Sequence, residues 1–155
     1  MKTMGFSNFK TNEGSLPMRI HRRVHKPFDV LPRVETNSNS AQVKSAALLA
    51  ALGLRKRLVL VEPLRTRDHT ERMLQSMGAV VTSIIDNSTL QNIITIESFV
   101  GHLKPLEGAI PGDISSAAFI LAAAALVPKS EVTIKDVLLN CSRTGFLEVL
   151  KMMGC

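Results

Sequence analysis

The sequence predicts an α/β (α+β) fold in which one small β/α unit occurs twice. Three observations point to it. Ser40-Ala41, Thr66-Arg67, Leu74 and Met77-Gly78 fall without a gap on Ser116-Ala117, Ser142-Arg143, Leu150 and Met153-Gly154, and self-similarity at one fixed offset is the mark of a repeated supersecondary unit. Two Ala/Leu-rich stretches each open on serines, as helices do. Short alternating apolar runs stand before and after them, as strands do.

The elements follow in order. A Met-Gly pair at Met4-Gly5 precedes an extended stretch with a turn at Asn12-Glu13-Gly14-Ser15 and a short strand at Pro17-Met18-Arg19-Ile20. Lys26-Pro27-Phe28-Asp29 resembles Lys104-Pro105-Leu106-Glu107 in the next copy. A helix is expected over 40–52 and a strand over 58–61. A second helix is expected over 67–77, opened by Asp68 and Glu71 at capping-box spacing and stopped by Gly78. The second copy repeats the plan: a turn at Asp86-Asn87-Ser88, a strand at Ile93-Ile94-Thr95-Ile96, a helix over 115–126, a strand over 132–134 and a helix over 144–153 stopped by Gly154. Met73, Met77, Met152 and Met153 sit at helical spacing and are expected to fill core. The chain starts within the end of one unit and stops at the same point two units later. It is therefore expected to be an internal piece of a longer protein.

Bulk properties narrow the function. The chain has 155 residues, enough for one domain or parts of two. An aromatic content of 4% with no Trp or Tyr requires an aliphatic core. The net charge of +6 favours an anionic partner, whether nucleic acid, membrane phosphate or a phosphorylated small molecule. Cys141 and Cys155 have no metal-ligand spacing and make no disulfide framework, which suits a reducing compartment. Residues 1–10 hold no apolar run of signal-peptide type, and the longest apolar stretch, 117–127, is too short to cross a bilayer. A soluble cytoplasmic protein is expected. The basic cluster Arg19, His21, Arg22, Arg23, His25 and Lys26 has only Phe28 nearby for base stacking. It reads as a charged strand edge, not a nucleic-acid surface. Arg55-Lys56-Arg57 reads as a solvated turn.

Four motifs carry a resemblance. Ser40-Ala41-Gln42-Val43-Lys44-Ser45-Ala46 resembles the substrate-binding motif of EPSP synthases (3-phosphoshikimate 1-carboxyvinyltransferases). Thr66-Arg67-Asp68-His69-Thr70-Glu71-Arg72-Met73-Leu74 is similar to a second hallmark of that family. Pro111-Gly112-Asp113-Ile114-Ser115-Ser116-Ala117 resembles the segment where the family's chain crosses between its two domains. Asn140-Cys141-Ser142-Arg143-Thr144-Gly145 resembles its Asn-x-Thr-Arg-Thr-Gly run. The four stand in family order and spacing, and cover a middle portion of a family member.

The resemblance implies the enolpyruvyl transferase fold, an inside-out α/β barrel of repeated β/α units, incomplete here. Residues 1–110 would be the end of the first domain and residues 111–155 the start of the second. It implies transfer of enolpyruvyl from phosphoenolpyruvate to the 5-hydroxyl of shikimate-3-phosphate, with release of phosphate, and no metal or organic cofactor. Full-length members are usually monomeric. This piece, with apolar faces left uncovered, is expected to associate. Nucleic-acid and membrane partners are not implied.

For the site, the resemblance assigns Ser40, Ala41, Gln42 and Arg67 to shikimate-3-phosphate. From residue chemistry alone, Ser40 reads first as an N-cap, although a helix start can also hold phosphate. Arg67 offers a planar fork for phosphate oxygens, yet a surface arginine looks the same in sequence. Asp113 reads as a helix cap, Arg143 as a structural ion pair, and His69 as no catalyst. The matched motifs include none of the family's catalytic carboxylates, so no catalytic residue is assigned. The related transferase acting on UDP-N-acetylglucosamine fits the first two motifs less well. A truncated remnant or an anion-binding module without catalysis is the alternative from another class.

Overall fold

The computed structural model describes the backbone of residues 6–12 and 15–22, and residues 33–155 in full. By their contacts the described residues form two compact units. The first takes the chain to Thr66 and again from Thr70 to Lys104; the second takes Arg67–His69 and Pro105–Cys155.

In the first unit, β1 (Phe6–Asn12) and β2 (Ser15–Arg22) form an antiparallel pair that closes at Asn12 and Ser15. Arg23, His25 and Lys26 of the basic cluster lie outside the described residues. A second sheet runs in the order β3 (Val34–Glu35), β4 (Leu58–Glu62), β6 (Asn92–Ile96), β5 (Val81–Ile85). β3 and β4 are parallel; β4–β6 and β6–β5 are antiparallel. The parallel pair needs a crossover, and α1 (Ala41–Gly53) supplies it, packing against β4 and β6.

The core is aliphatic throughout. Ala47, Leu48 and Ala51 of α1 meet Leu58 and Leu60 of β4 and Ile94 and Ile96 of β6. Along β6, Asn92, Ile94 and Ile96 are buried and alternate with half-buried Ile93 and Thr95, the period of two expected of a half-covered strand. At the hairpin between β5 and β6, Asp86 accepts hydrogen bonds from the Ser88 amide and hydroxyl and from Thr89 Oγ1 at 2.9, 2.6 and 2.9 Å. These bonds, led by the Ser88 hydroxyl, hold its carboxyl at about 2.

Three helices end in the same way. After α2 (His69–Ser76), Ala79 N donates to Leu74 O at 2.9 Å and Gly78 N to Gln75 O at 3.0 Å, with Gly78 at φ +94°. After α4 (Gly145–Met152), Cys155 N donates to Leu150 O and Gly154 N to Lys151 O, with Gly154 at φ +90°. After α1, Lys56 N donates to Ala51 O and Arg55 N to Leu52 O. All three are Schellman closures, which place one residue in the left-handed region. In α1 that residue is Arg55, at φ +54°. The run Arg55-Lys56-Arg57 is thus a helix stop, and Arg57 pairs with Glu97 at 3.1 Å.

The second unit holds α3 (Ile114–Leu126) and α4 in contact. Gly112 bridges to Val137: Gly112 N donates to Asp136 O at 2.7 Å and Leu138 N to Gly112 O at 3.0 Å. Asp113 caps α3, accepting from Ser115 N at 3.1 Å.

Several expectations are corrected. Residues 132–134 form no strand, because in this unit only that single bridge offers a ladder partner. α2 starts at His69, so Arg67 precedes the helix instead of opening it. Glu71 closes no capping box: neither carboxylate oxygen accepts a hydrogen bond among the described residues, and its partner is Lys44. The methionines do not fill core either. Met152 and Met153 are 87% and 73% exposed and Met73 is at the surface. Helical spacing marks an apolar face, but burial also needs a surface to cover it.

The left-handed stops give a paired prediction. Gly78→Ala places a Cβ in the disfavoured region and should cost about 1 kcal/mol. Arg55→Gly relieves the same strain and should shift stability the opposite way, by less, since glycine loses more freedom on folding. Urea midpoints of the two variants against the parent check both signs.

Candidate anion-binding site

Ser40 is the N-cap of α1, in extended conformation (φ −112°, ψ 114°), and its side chain makes no cap bond to the helix. The hydroxyl instead donates to Gln42 Oε1 at 3.0 Å. Lys44 N donates to Ser40 O at 3.2 Å, so the amides of Ala41, Gln42 and Val43 come before the first intrahelical bond and have no acceptor within the helix. No acidic residue stands in the first turn. The result is a thirteen-residue helix whose positive end is left uncompensated by its own side chains. Ser40 and Ala41 are half-buried and Gln42 is exposed. Three of the four residues assigned from the motifs are therefore together, with hydroxyl, amide and side-chain amide groups at one helix start.

One turn into α1, Lys44 is buried, 1% exposed. Its Nζ lies 3.2 Å from Glu62 Oε1 and 2.8 Å from Glu71 Oε1. Glu62, at the end of β4, is equally buried and its carboxylate is saturated. Oε1 also accepts from the Thr66 amide at 2.9 Å and Asn92 Nδ2 at 2.8 Å, and Oε2 accepts from Thr66 Oγ1 at 2.8 Å. Burial pushes this carboxyl up. The bonds from Asn92 and Thr66, with the Lys44 charge, outweigh it and hold Glu62 below its ordinary value of 4.5. Ser45 Oγ meets Thr70 Oγ1 at 2.6 Å, a second tie between α1 and α2.

The sequence reading passed over this network. The available signals were a lysine inside an otherwise Ala/Leu-rich helix and a glutamate closing the apolar run Leu58-Val59-Leu60-Val61.

Arg67 lies in the second unit and is half-buried. Next to it Asp68 is buried and accepts from Asn140 Nδ2 at 2.7 Å. Asn140 Oδ1 in turn accepts from the Ser142 amide and hydroxyl at 2.9 and 2.8 Å. His69 Nε2 is buried without a hydrogen-bond partner among the described residues.

Arg143, at the repeat position of Arg67, reaches Ser115 Oγ and lies 3.5 Å from Asp113 Oδ1. Asp113 is held low, first by the Ser115 amide and then by the Arg143 charge. The α3 start therefore carries its own anion. At the α1 start the N-cap is Ser40 and no acidic residue stands in the first turn, so that start lacks one.

The motifs agree with the comparisons. The family model for EPSP synthase (3-phosphoshikimate 1-carboxyvinyltransferase) matches residues 2–155. This chain belongs to the EPSP synthase family. It is 42% identical to the 3-phosphoshikimate 1-carboxyvinyltransferase of Desulforamulus reducens, over 99% of this chain and 34% of that protein. It is 40% identical to the one of Endomicrobium trichonymphae over 96% of this chain and 32% of the relative. With that of Thermodesulfovibrio yellowstonii it shares 53% over 74% of this chain and 25% of the relative. The chain thus spans a quarter to a third of these EPSP synthases. Its mixed α/β architecture agrees with the α/β class expected from the repeat. Among the described residues no helix is long and apolar enough to cross a membrane, and no group of His, Cys, Asp and Glu could hold a metal ion.

The Glu62 carboxyl is lowered on folding, so the stability it contributes is full above the unfolded value near 4.5 and is lost as pH falls through the lower folded value. Urea midpoints from pH 7 down to pH 3 should fall in the parent. They should fall less steeply in Glu62→Gln, whose amide does not titrate.

Proposed function

We propose that this chain supplies part of the shikimate-3-phosphate site of a 3-phosphoshikimate 1-carboxyvinyltransferase, in aromatic amino-acid biosynthesis. The observation that carries the reading is the α1 start, where Ser40 leaves its hydroxyl off the helix and no acidic side chain neutralises the first turn. A phosphate there would accept from backbone amides and the Ser40 hydroxyl, with the helix dipole favouring its charge. Gln42 would turn its side chain from Ser40 to the substrate, and Ala41 would let the ligand approach the backbone. By the motif Arg67 would bind phosphate as well, and a guanidinium fork pairs two oxygens at once.

In the reaction, the 5-hydroxyl oxygen of shikimate-3-phosphate bonds to C2 of phosphoenolpyruvate and gives up its proton. The methylene carbon takes a proton, forming a tetrahedral intermediate. Loss of a proton from that carbon and of inorganic phosphate then restores the double bond. The chemistry requires acid–base groups and clamps for anions, without metal or organic cofactor. Residues of this chain hold and orient the phosphorylated substrate. The described carboxylates in and beside the first two motifs, Glu62, Asp68 and Glu71, are buried in structural contacts, and Asp113 in the third caps α3. That favours binding without turnover by this chain alone, the reading of a plain anion-binding module.

Calorimetric titration of the chain with shikimate-3-phosphate tests the reading. Saturable binding is expected, at least roughly tenfold weaker in Arg67→Ala, as befits loss of a charge-assisted contact. A folded chain that shows no saturable heat would refute the half-site. Phosphate release with phosphoenolpyruvate present separates a transferase from a binding module.

A further inference from the structure

The buried network at Lys44 touches both segments assigned to substrate while contributing no group to the ligand. Lys44 N is bonded to Ser40 O, so the residue that carries the buried ammonium also closes the first turn below the helix start. The ammonium is held by Glu62 and Glu71. The same Glu62 carboxylate takes both the amide and the hydroxyl of Thr66, fixing the residue before Arg67. Asn92 Nδ2 fixes the carboxylate from β6, and Ser83 Oγ donates to Asn92 Oδ1 at 2.7 Å. One carboxylate, clamped from the sheet, therefore sets the seat of the α1 start through one oxygen and the Thr66 turn through both.

We propose that Lys44, Glu62 and Thr66 are positioning residues for phosphate binding, coupling the Ser40–Gln42 helix start to the turn before Arg67. This rests on the reading of the half-site given above. A network of this kind is a poor device for stability alone. Two carboxylates face one ammonium in a buried place, and apolar side chains of similar volume often do as well or better there. What apolar residues do not supply is a directional link: the Thr66 amide and hydroxyl need an acceptor at that place and angle, and Lys44 holds that acceptor against α1.

The test uses the full chain, labelled with nitrogen-15, as parent, Thr66→Val, Thr66→Ser, Lys44→Met and the double variant Lys44→Met/Glu71→Leu. The double variant removes the carboxylate that Lys44→Met strands, and so remains usable if the single variant fails to fold. Two quantities are read: the amide resonances of Gln42 and Thr66 without ligand, and the affinity for shikimate-3-phosphate.

The proposal expects the Lys44 variants to move the Thr66 amide, and Thr66→Val to move that of Gln42. It expects Thr66→Val and the double variant to bind roughly tenfold more weakly, with Thr66→Ser restoring affinity. A merely structural role would lower the unfolding midpoint while leaving the affinity of the folded protein at the parent's value, and that result overturns the proposal. So does a Thr66 amide indifferent to Lys44. A parent chain that takes up no shikimate-3-phosphate sinks the half-site reading instead. The amides then decide the coupling alone, a linked response sustaining it and an unlinked one overturning it.

Discussion

The carboxylate of Glu62 is the constraint on which the first unit depends. It ends a strand whose other residues are buried apolar or half-buried, so it enters the interior with its charge. An isolated carboxylate there would be prohibitively costly. Four donor contacts make it tolerable, from Lys44, Asn92 and the amide and hydroxyl of Thr66. The three donor residues belong to three different parts of the chain, α1, β6 and the turn after β4. Satisfying one side chain therefore fixes three segments at once. The aliphatic cluster of α1 on β4 and β6 is non-directional and supplies the free energy of burial. The polar hub supplies the register in which that cluster is assembled.

The two repeats show how one sequence plan can yield two electrostatic outcomes. Both have serines at the start of an Ala/Leu-rich helix of thirteen residues, Ser40 as the cap of α1 and Ser115-Ser116 in the first turn of α3, and both place an arginine downstream. In the second, Asp113 caps the helix and Arg143 lies against Asp113 and Ser115. The helix dipole, the guanidinium and a carboxylate neutralise one another without any ligand. In the first, no acidic side chain stands at the helix start. A phosphate ligand would supply there the charge that Asp113 supplies in the other copy. That contrast is a physical reason for the proposed phosphate seat to lie on the first repeat. It follows from the residue at the cap itself, Asp113 at the start of α3 and Ser40 at the start of α1.

Elements whose signals are local were legible in the sequence. The places of α1 and β4 follow from a serine start and a short continuous apolar run, and the glycine stops at Gly78 and Gly154 follow from the left-handed closure that glycine tolerates. The family was legible because four spaced motifs constrain one another. What failed depended on partners. Residues 132–134 have strand chemistry but a single bridge beside them in their unit, and a strand without a ladder is not a strand. Met152 and Met153 sit on an apolar face, yet α4 buries none of its residues. Glu71 has capping-box spacing, but a buried ammonium within reach offers it far more than an exposed amide does. Lys44 was visible as a residue of the motif, while its role required knowing that Glu62 lies across from it in the folded sheet.

The same partner dependence bears on what the chain can do chemically. A general acid or base must reach a reacting atom and exchange protons near the working pH. Glu62 is committed in the opposite sense, since its donors stabilise the ionised form and hold its carboxyl low. Asp68 is buried on Asn140, and Asp113 is engaged by a helix start and an arginine. A carboxylate that organises donors in this way is a poor proton carrier for the reason that it is a good scaffold: protonating it weakens the bonds that tie Lys44, Thr66 and Asn92 to it. Binding and proton transfer thus place opposed demands on the acidic residues near the motifs. These side chains are held as scaffold, and proton transfer in the proposed reaction requires carboxylates held by other means.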